Sequence, residues 1–193
     1  MPRVIAGKAK GTRLDAPDGQ STRPTSDRVK EALFSILSLQ IPGARFLDLF
    51  AGSGQIGIEA ASRGARAVVL LEGNRISLAC LRKNIEKTQL EGLRVMPGDV
   101  YASLAALDRS EEEPFNLVFL DPPYRMAGQA LEKVARLTSP RLLAPDALLV
   151  LEHAAADPVS AFVTDMQLVR NCKYGNTMLS FYKAIHDDRG SSL

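Results

Sequence analysis

The chain has 193 residues, 46% apolar and 24% charged, and a net charge of +2. These ordinary globular values exclude disordered and fibrous classes and suit one domain with a large core. No apolar run approaches the roughly 20 residues that cross a bilayer, and Met1-Pro2-Arg3-Val4 begins no secretory signal, so a cytoplasmic protein without membrane contact is expected.

Cys80 and Cys172 lie far apart with no Cys or His at metal-ligand spacing, and His153 and His186 are equally isolated. Both thiols read as reduced and buried, and neither a metal site nor a Cys/His nucleophile pair is expected. Charge is unevenly placed. Arg3, Lys8, Lys10, Arg13, Arg23, Arg28 and Lys30 against Asp15, Asp18 and Asp27 leave +4 in the first thirty residues and −2 in the remainder. A basic arm on a near-neutral body is what contact with a phosphate backbone uses, with Lys8, Lys10 and Arg13 as candidates. A merely solvated N-terminus has the same charge.

In chain order, residues 4–7 and 12–14 flank a Gly/Lys-rich bend and predict a short hairpin, closed by Pro17-Asp18-Gly19. Thr25 or Ser26 caps a helix whose Val29, Leu33, Ile36 and Leu37 share one face and which Pro42-Gly43 ends. From Arg45 strands and helices alternate. Strands are predicted over 46–50, 67–72, 93–96, 115–120 and 147–151. Helices run from the glycine turn to about Arg63, from about Asn74 to Thr88 with Leu78, Leu81 and Ile85 as buried stripe, over 101–107, and from Gly128 to about Leu137. Runs over 168–174 and 177–182 join at Gly175-Asn176, a hairpin signal. Repeated βαβ units imply an α/β fold: a mostly parallel seven-stranded sheet with helices on both faces and a C-terminal antiparallel hairpin at one edge. The expected division is a basic arm over 1–22, a main domain over 23–185 opening on a lead-in helix over 23–40, and a flexible tail over 186–193.

Gly52-x-Gly54-x-x-Gly57 follows a strand and opens a helix, the context of a nucleotide-binding glycine turn. Glu72 ends the next strand, where a carboxylate accepts hydrogen bonds from both ribose hydroxyls. NAD and S-adenosylmethionine both suit this arrangement, but a dehydrogenase needs a substrate domain for which the chain has no room. Asp99 is placed for an adenine amino group, with the Val100 N–H for a ring nitrogen. Asp48 is placed either to face a methionine ammonium or to brace the loop.

The strand over 115–120 delivers Asp121-Pro122-Pro123-Tyr124 to the carboxyl edge of the sheet, where open α/β sheets bind ligands. Two prolines stiffen this corner, which presents the Asp121 carboxylate, the Pro122 carbonyl and the Tyr124 ring. Two acceptors and a stacking ring suit an exocyclic amine on a flat base. A plain turn uses the same residue types.

With Phe50-Ala51-Gly52-Ser53-Gly54, Glu72, Gly98-Asp99 and Asp121-Pro122-Pro123-Tyr124 in this order, the chain resembles the Rossmann-like class I S-adenosylmethionine-dependent amino-methyltransferases. Arg3-Val4-Ile5-Ala6-Gly7, the run from Arg23-Pro24-Thr25-Ser26 to Leu33-Phe34, and Lys173-Tyr174-Gly175-Asn176-Thr177 narrow the resemblance to the bacterial RsmD family. Its members are 16S ribosomal RNA guanine-N2 methyltransferases that modify nucleotide 966. The resemblance implies S-adenosylmethionine as cofactor, 16S ribosomal RNA or the small ribosomal subunit as partner, no metal, and a monomer.

It also implies roles. Phe50, Gly52 and Gly54 line the cofactor, Glu72 holds its ribose, Asp99 and Val100 its adenine, and Arg23 and Thr25 close over the methionine end with Asp48, unless Arg23 instead pairs with Asp27. Asn74 stands where an aspartate is common, leaving Glu72 the sole carboxylate there. Asp121, Pro122, Pro123 and Tyr124 become the catalytic set. Accepting both amine hydrogens favours a pyramidal nitrogen aimed at the methyl group, with Asp121 or water taking the departing proton. Lys8, Lys10 and Arg13 become RNA contacts. Two alternatives stand beside this reading: a DNA adenine-N6 methyltransferase, whose target amine fits the same acceptors, and a non-catalytic S-adenosylmethionine-binding RNA-binding protein.

Overall fold

The computed structural model describes residues 2–17, 25–123, 125–139 and 141–185. Its elements are α1 (Asp27–Ile36), β1 (Arg45–Leu49), α2 (Gln55–Ser62), β2 (Ala67–Glu72), α3 (Arg75–Thr88), β3 (Leu93–Pro97), α4 (Val100–Asp108), β4 (Phe115–Leu120), α5 (Ala127–Leu137), β5 (Leu143–Ala154), β6 (Phe162–Val163), β7 (Met166–Tyr174) and β8 (Thr177–Ala184). All the strands join one sheet in the order β3-β2-β1-β4-β5-β8-β7-β6. The first five are parallel, and β8, β7 and β6 add antiparallel pairs.

The parallel strands are apolar on both sides because helices cover both faces. Leu47, Leu49, Val118, Leu120, Leu149 and Leu151 pack with Val100 and Leu104 of α4 and Leu131 and Val134 of α5. The alternate residues Phe46, Leu117, Phe119, Leu148 and Val150 pack with Val29, Leu33 and Phe34 of α1, Ile56 and Ala60 of α2 and Leu81 of α3. A register irregularity between Phe115 and Leu117 puts Phe115 on the first of these faces.

Several expectations need correction. The sheet has eight strands rather than seven, because β6 pairs Phe162 with Gln167 and Val163 with Met166; two residues give no periodicity to read. β5 is longer than the 147–151 core, starting at Leu143 and running to Ala154. Ser26 rather than Thr25 caps α1, its side chain accepting from the Val29 N–H at 3.3 Å. In α3 it is Ser77, Leu81 and Asn84 that are buried, with Leu78 and Ile85 only partly so. Both cysteines are free and half-buried.

Near the N-terminus, residues 2–15 form a minimal hairpin, in which the Val4 and Leu14 N–H groups donate to the Thr12 and Pro2 carbonyls at 3.0 and 2.9 Å. One bridge joins Arg3 to Arg13, and Val4 and Leu14 are buried against Ile58 of α2. Gly7 is required where the loop touches α2: its φ is +84°, and a Cβ there would lie 1.9 Å from the Ser62 carbonyl oxygen. Beneath the loop sits a buried ion pair. Glu59 accepts from the Ile5 and Ala6 N–H groups at 2.7 and 3.0 Å and from Arg63 at 2.7 Å. Lys30 is fully buried 3.7 Å from Glu59 and donates to the Arg3 carbonyl. Burial pulls the Lys30 pKa down and Glu59 opposes the fall.

Removing one partner of such a pair strands the other charge. Lys30→Ala is expected to lower the unfolding free energy by about 3–5 kcal/mol in a urea titration. A loss under about 1 kcal/mol, the range of exposed ion pairs, would show that the pair does not anchor the loop.

Candidate functional site: a carboxylate-rich cleft at the sheet's switch point

The chain order reverses between β1 and β4: β1 leads through α2 to β2 on one side, while β4 lies on the other. Ligands of open α/β sheets sit at the carboxyl edge of such a switch point. Leu49 is in register with Leu120. The glycine turn after β1 and the Asp121-Pro122-Pro123 corner after β4 are therefore neighbours.

The three glycines of the turn do three different things. Gly52, at φ +56°, has nothing within 4 Å of where a Cβ would point, so its backbone faces open space. Gly54, at φ +81°, is the N-cap of α2, a left-handed position that favours glycine. At Gly57 a Cβ would meet the Leu70 Cδ2 at 2.6 Å and the Asp48 Oδ2 at 3.1 Å. Its absence lets α2 lie close enough for the Gly57 N–H to donate to Asp48 at 2.8 Å. Phe50 enters the turn at φ +61°, a region that costs a non-glycine residue roughly 1–3 kcal/mol and clusters at functional sites.

Glu72 clamps the turn to the end of β2. Its Oε2 accepts from the Gly52 N–H at 2.7 Å and its Oε1 from the Asn74 N–H at 2.6 Å. Asn74 is the N-cap of α3, accepting from the Ile76 and Ser77 N–H groups. β3 ends alongside: the Gly98 N–H donates to the Glu72 carbonyl at 3.0 Å. Asp99 caps α4 through the Ala102 N–H at 2.8 Å, and Val100 follows at a helix position whose N–H has no intrahelical partner. Phe50 meets Tyr101 edge to face at 5.8 Å between centroids, giving this side of the cleft an aromatic wall.

On the other side, carboxylates gather. Side chains alternate along a strand, so Asp48 lies on the face of Phe46, Asp121 on that of Phe119, and Glu152 on that of Val150, all one face. Leu120 pairs with Leu151, making Asp121 and Glu152 neighbours at adjoining strand ends. Burial pushes Asp48 up to about 7, with Glu72 adding to the rise. Burial, then the charges of Glu152 and Asp48, push Asp121 well above the carboxylate range. Burial likewise lifts Glu152 to about 7, opposed by the buried Thr25 hydroxyl, which donates to its Oε2 at 3.0 Å.

Of the residues expected at the site, Asp48, Phe50, Gly52, Gly54, Thr25, Glu72, Asp99, Val100, Asp121, Pro122 and Pro123 all fall around this cleft. Tyr124 and Arg23 lie outside the described residues. Lys8, Lys10 and Arg13 belong to the N-terminal loop, but the Lys8 N–H bonds to Ser62 at the far end of α2, a helix about 12 Å long, from the glycine turn. Asp48 does brace the loop, and Asp99 and Asn74 are helix caps.

Four contributors were not foreseen. Glu152 carries the same signal as Glu72, an acid ending an apolar strand, and was legible. Asn84 was not: fully buried, it holds the Ser53 carbonyl at 2.9 Å and the Asp15 backbone at 2.8 and 3.0 Å, tying the glycine turn to the N-terminal loop. Tyr101 required the fold to bring it to Phe50. Gln55, the first residue of α2, is buried with its Oε1 unpartnered among the described residues. The open face over Gly52 and this spare acceptor beside the turn fit a polar cofactor such as S-adenosylmethionine. Among the described residues no group of three His, Cys, Asp or Glu is placed to hold a metal, and no helix is long and apolar enough to cross a membrane.

A doubly wound sheet with a glycine turn, an acidic second strand end and an Asp-Pro-Pro corner at its switch point places the chain among the Rossmann-like S-adenosylmethionine-dependent methyltransferases. Residues 2–183 match the family described as conserved hypothetical protein 95. The ribosomal RNA small subunit methyltransferase D of Escherichia coli (strain K12) is 34% identical over 181 residues, covering 94% of this chain and 89% of that protein. That of Haemophilus influenzae is 37% identical over 160 residues, 81% of each. An Escherichia coli structure described as a candidate methyltransferase, yhhF, superposes with a TM-score of 0.81 at 31% identity, over 96% of this chain and 99% of the other. The chain belongs to this family, the RsmD family.

Asp48 and Glu152 hold protons more tightly folded than unfolded. Their contribution to stability is therefore full below about pH 4 and is lost as pH rises through about 7. For Asp48 the whole effect is on the order of 4 kcal/mol. Asp48→Asn keeps an oxygen for the Gly57 N–H and removes the ionisation. Chemical denaturation of this variant across pH 4–8 is expected to show a shallower loss of stability than wild type, and parallel curves would refute the assignment.

Proposed function

We propose that this protein transfers a methyl group from S-adenosylmethionine to the exocyclic N2 amine of a guanine in 16S ribosomal RNA, nucleotide 966 by resemblance, on the small ribosomal subunit in the cytoplasm. The observation that carries this reading is the juxtaposition at the switch point: the glycine turn and the Asp121-Pro122-Pro123 corner adjoin through the Leu49–Leu120 register. Family membership and the names of the Escherichia coli and Haemophilus influenzae relatives, ribosomal RNA small subunit methyltransferase D, support ribosomal RNA as substrate.

S-adenosylmethionine supplies a methyl group already activated on a sulfonium. The residues that hold it are Phe50, Gly52, Gly54, Glu72, Asp99 and Val100, with Asp48, Thr25 and Arg23 toward the methionine end. The remaining work is positioning. A guanine N2 is a weak nucleophile because its lone pair is delocalised into the ring. Accepting its two hydrogens at Asp121 and the Pro122 carbonyl localises that pair, while Tyr124 stacks on a base that has left its helix or loop. Lys8, Lys10 and Arg13, at the far end of α2, contact phosphates away from the target base.

Asp121→Ala is expected to keep cofactor affinity near wild type in calorimetry while methyl transfer falls by about 100-fold or more. Transfer at the wild-type rate would refute the role of Asp121. Transfer of labelled methyl groups to small ribosomal subunits, naked ribosomal RNA and duplex DNA, run in parallel, tests the substrate: preference for duplex DNA would select the adenine-N6 alternative, and no transfer to any of them the non-catalytic one.

Replacing Lys8, Lys10 and Arg13 together by Ala is expected to weaken RNA binding and reduce the slope of log affinity against log salt by about 2, at roughly 0.7–0.9 for each phosphate no longer neutralised. Cofactor affinity should not change. An unaltered slope would take the arm off the RNA surface.

A further inference from the structure

Asp121 is the acceptor on which the proposed reaction depends, and its surroundings are unfavourable to an acceptor. Asp121 can take a proton from the substrate only when it is ionised; protonated, one of its oxygens becomes an O–H donor and no further proton can be accepted. Asp121 lies beside Glu152 at adjoining ends of β4 and β5 and shares its sheet face with Asp48. Asp121 and Glu152 are both half-buried, and two carboxyl groups neighbouring in such a setting favour retaining one proton between them at neutral pH.

Who holds that proton is decided by the neighbours. Asp48, from β1, is occupied by the Gly57 N–H, and Glu72, from β2, by the Gly52 and Asn74 N–H groups. On α1, Lys30 is bound to Glu59, Asp27 pairs with Arg3, and Arg28 and Glu31 are exposed to solvent. From the hairpin, β8 places Leu179 opposite Glu152, and β7 brings Cys172 and Tyr174 to the rim of the same core. His153 points to the other side, bonded to Ser180 at 2.7 Å. The Thr25 hydroxyl, just ahead of α1, is the hydrogen-bond donor to Glu152. It engages Oε2 and leaves Oε1 for a proton.

We propose that Glu152, held by Thr25, is a positioning residue for Asp121: the two share one proton between neighbouring strands, and Asp121 takes the proton of the amine only while that shared proton rests on Glu152. The inference rests on the reading of Asp121 given above. As the new C–N bond forms, the S–C bond breaks with its electron pair left on sulfur. The nitrogen then gives up one N–H, whose electron pair stays on nitrogen and whose proton goes to Asp121. The pair, now doubly protonated, returns to its resting state by losing one proton to water.

Two measurements test this. In the first, carbon-13 carboxyl shifts of Asp121 and Glu152 are followed against pH by NMR in the protein without substrate. Wild type is expected to show the two groups titrating in linked steps, and Glu152→Gln to show Asp121 alone, titrating lower by about one pH unit or more. Thr25→Val removes the bond that favours ionised Glu152, so the proton moves toward Glu152 and Asp121 again titrates lower, by less. Thr25→Ser restores the wild-type curve.

In the second, the acid limb of the methyl-transfer pH profile should move the same way, so that at pH 6 Glu152→Gln keeps a larger fraction of its own optimum than wild type does. A residue that merely supports the fold would lower transfer equally at all pH values and leave the limb in place. An Asp121 titration identical in wild type, Glu152→Gln and Thr25→Val overturns the proposal; should Glu152→Gln not fold, the two Thr25 variants carry the decision. Wild-type protein that transfers no methyl group to RNA at any pH defeats the functional reading instead, while the NMR titration still tests the shared proton.

Discussion

Removing a carboxylate from water is unfavourable unless a cation or several N–H donors take the place of the solvent. At the switch point of this sheet that compensation is sparse among the described residues. Asp48, Asp121 and Glu152 stand on one face toward the carboxyl edge of one sheet, and among the described residues Asp48 receives one N–H and Glu152 one hydroxyl. The contrast with Glu59 is instructive. As fully buried as Asp48, it receives two backbone N–H groups, an arginine and a lysine. Where the fold needs only cohesion its charges are compensated. At the switch point the described neighbours compensate them less.

The N-terminal segment belongs to the same arrangement. Lys30 and Glu59 fasten the loop of residues 2–15 to α1 and α2, and α1 begins one residue after Ser26, with Thr25 alongside. The orientation of the Thr25 hydroxyl toward Glu152 therefore depends on how α1 is seated, and that depends on an ion pair at its other side. Asn84 makes a second tie, from α3 to both the loop and the glycine turn. Loop, lead-in helix and cleft form one mechanical unit, although only the cleft carries the chemistry.

Much of this was legible in the residues. The β1, β2 and β4 runs, the glycine turn, Glu72 and the Asp-Pro-Pro corner are local patterns, and strand alternation with helices determines which edge they share. What could not be read was pairwise. Asn84 looks like an exposed helix residue until three segments converge on it. The Phe50–Tyr101 contact joins residues about fifty positions apart, and the two-residue β6 exists only because β7 offers it an edge. Glu152 is a different case: its local signal equalled that of Glu72, but nothing in the sequence near it, unlike the glycines before Glu72, announced a ligand. Distance in the chain hides a partner more thoroughly than weak propensity does.

Glu72 is a brace that keeps acceptor capacity in reserve. Each of its oxygens accepts one backbone N–H, and a carboxylate oxygen has two lone pairs. One pair on each remains for a ribose hydroxyl. The N–H groups of Gly52 and Asn74 pin the carboxylate plane before any cofactor arrives, so binding orders little that is not already ordered. Asn74 contributes through its backbone and its cap, which an asparagine satisfies as well as an aspartate. An aspartate there would add a second negative charge beside Glu72. With asparagine the end of β2 carries one carboxylate, while on the other side of the turn Asp48, Asp121 and Glu152 gather three acidic groups whose pKa values burial raises.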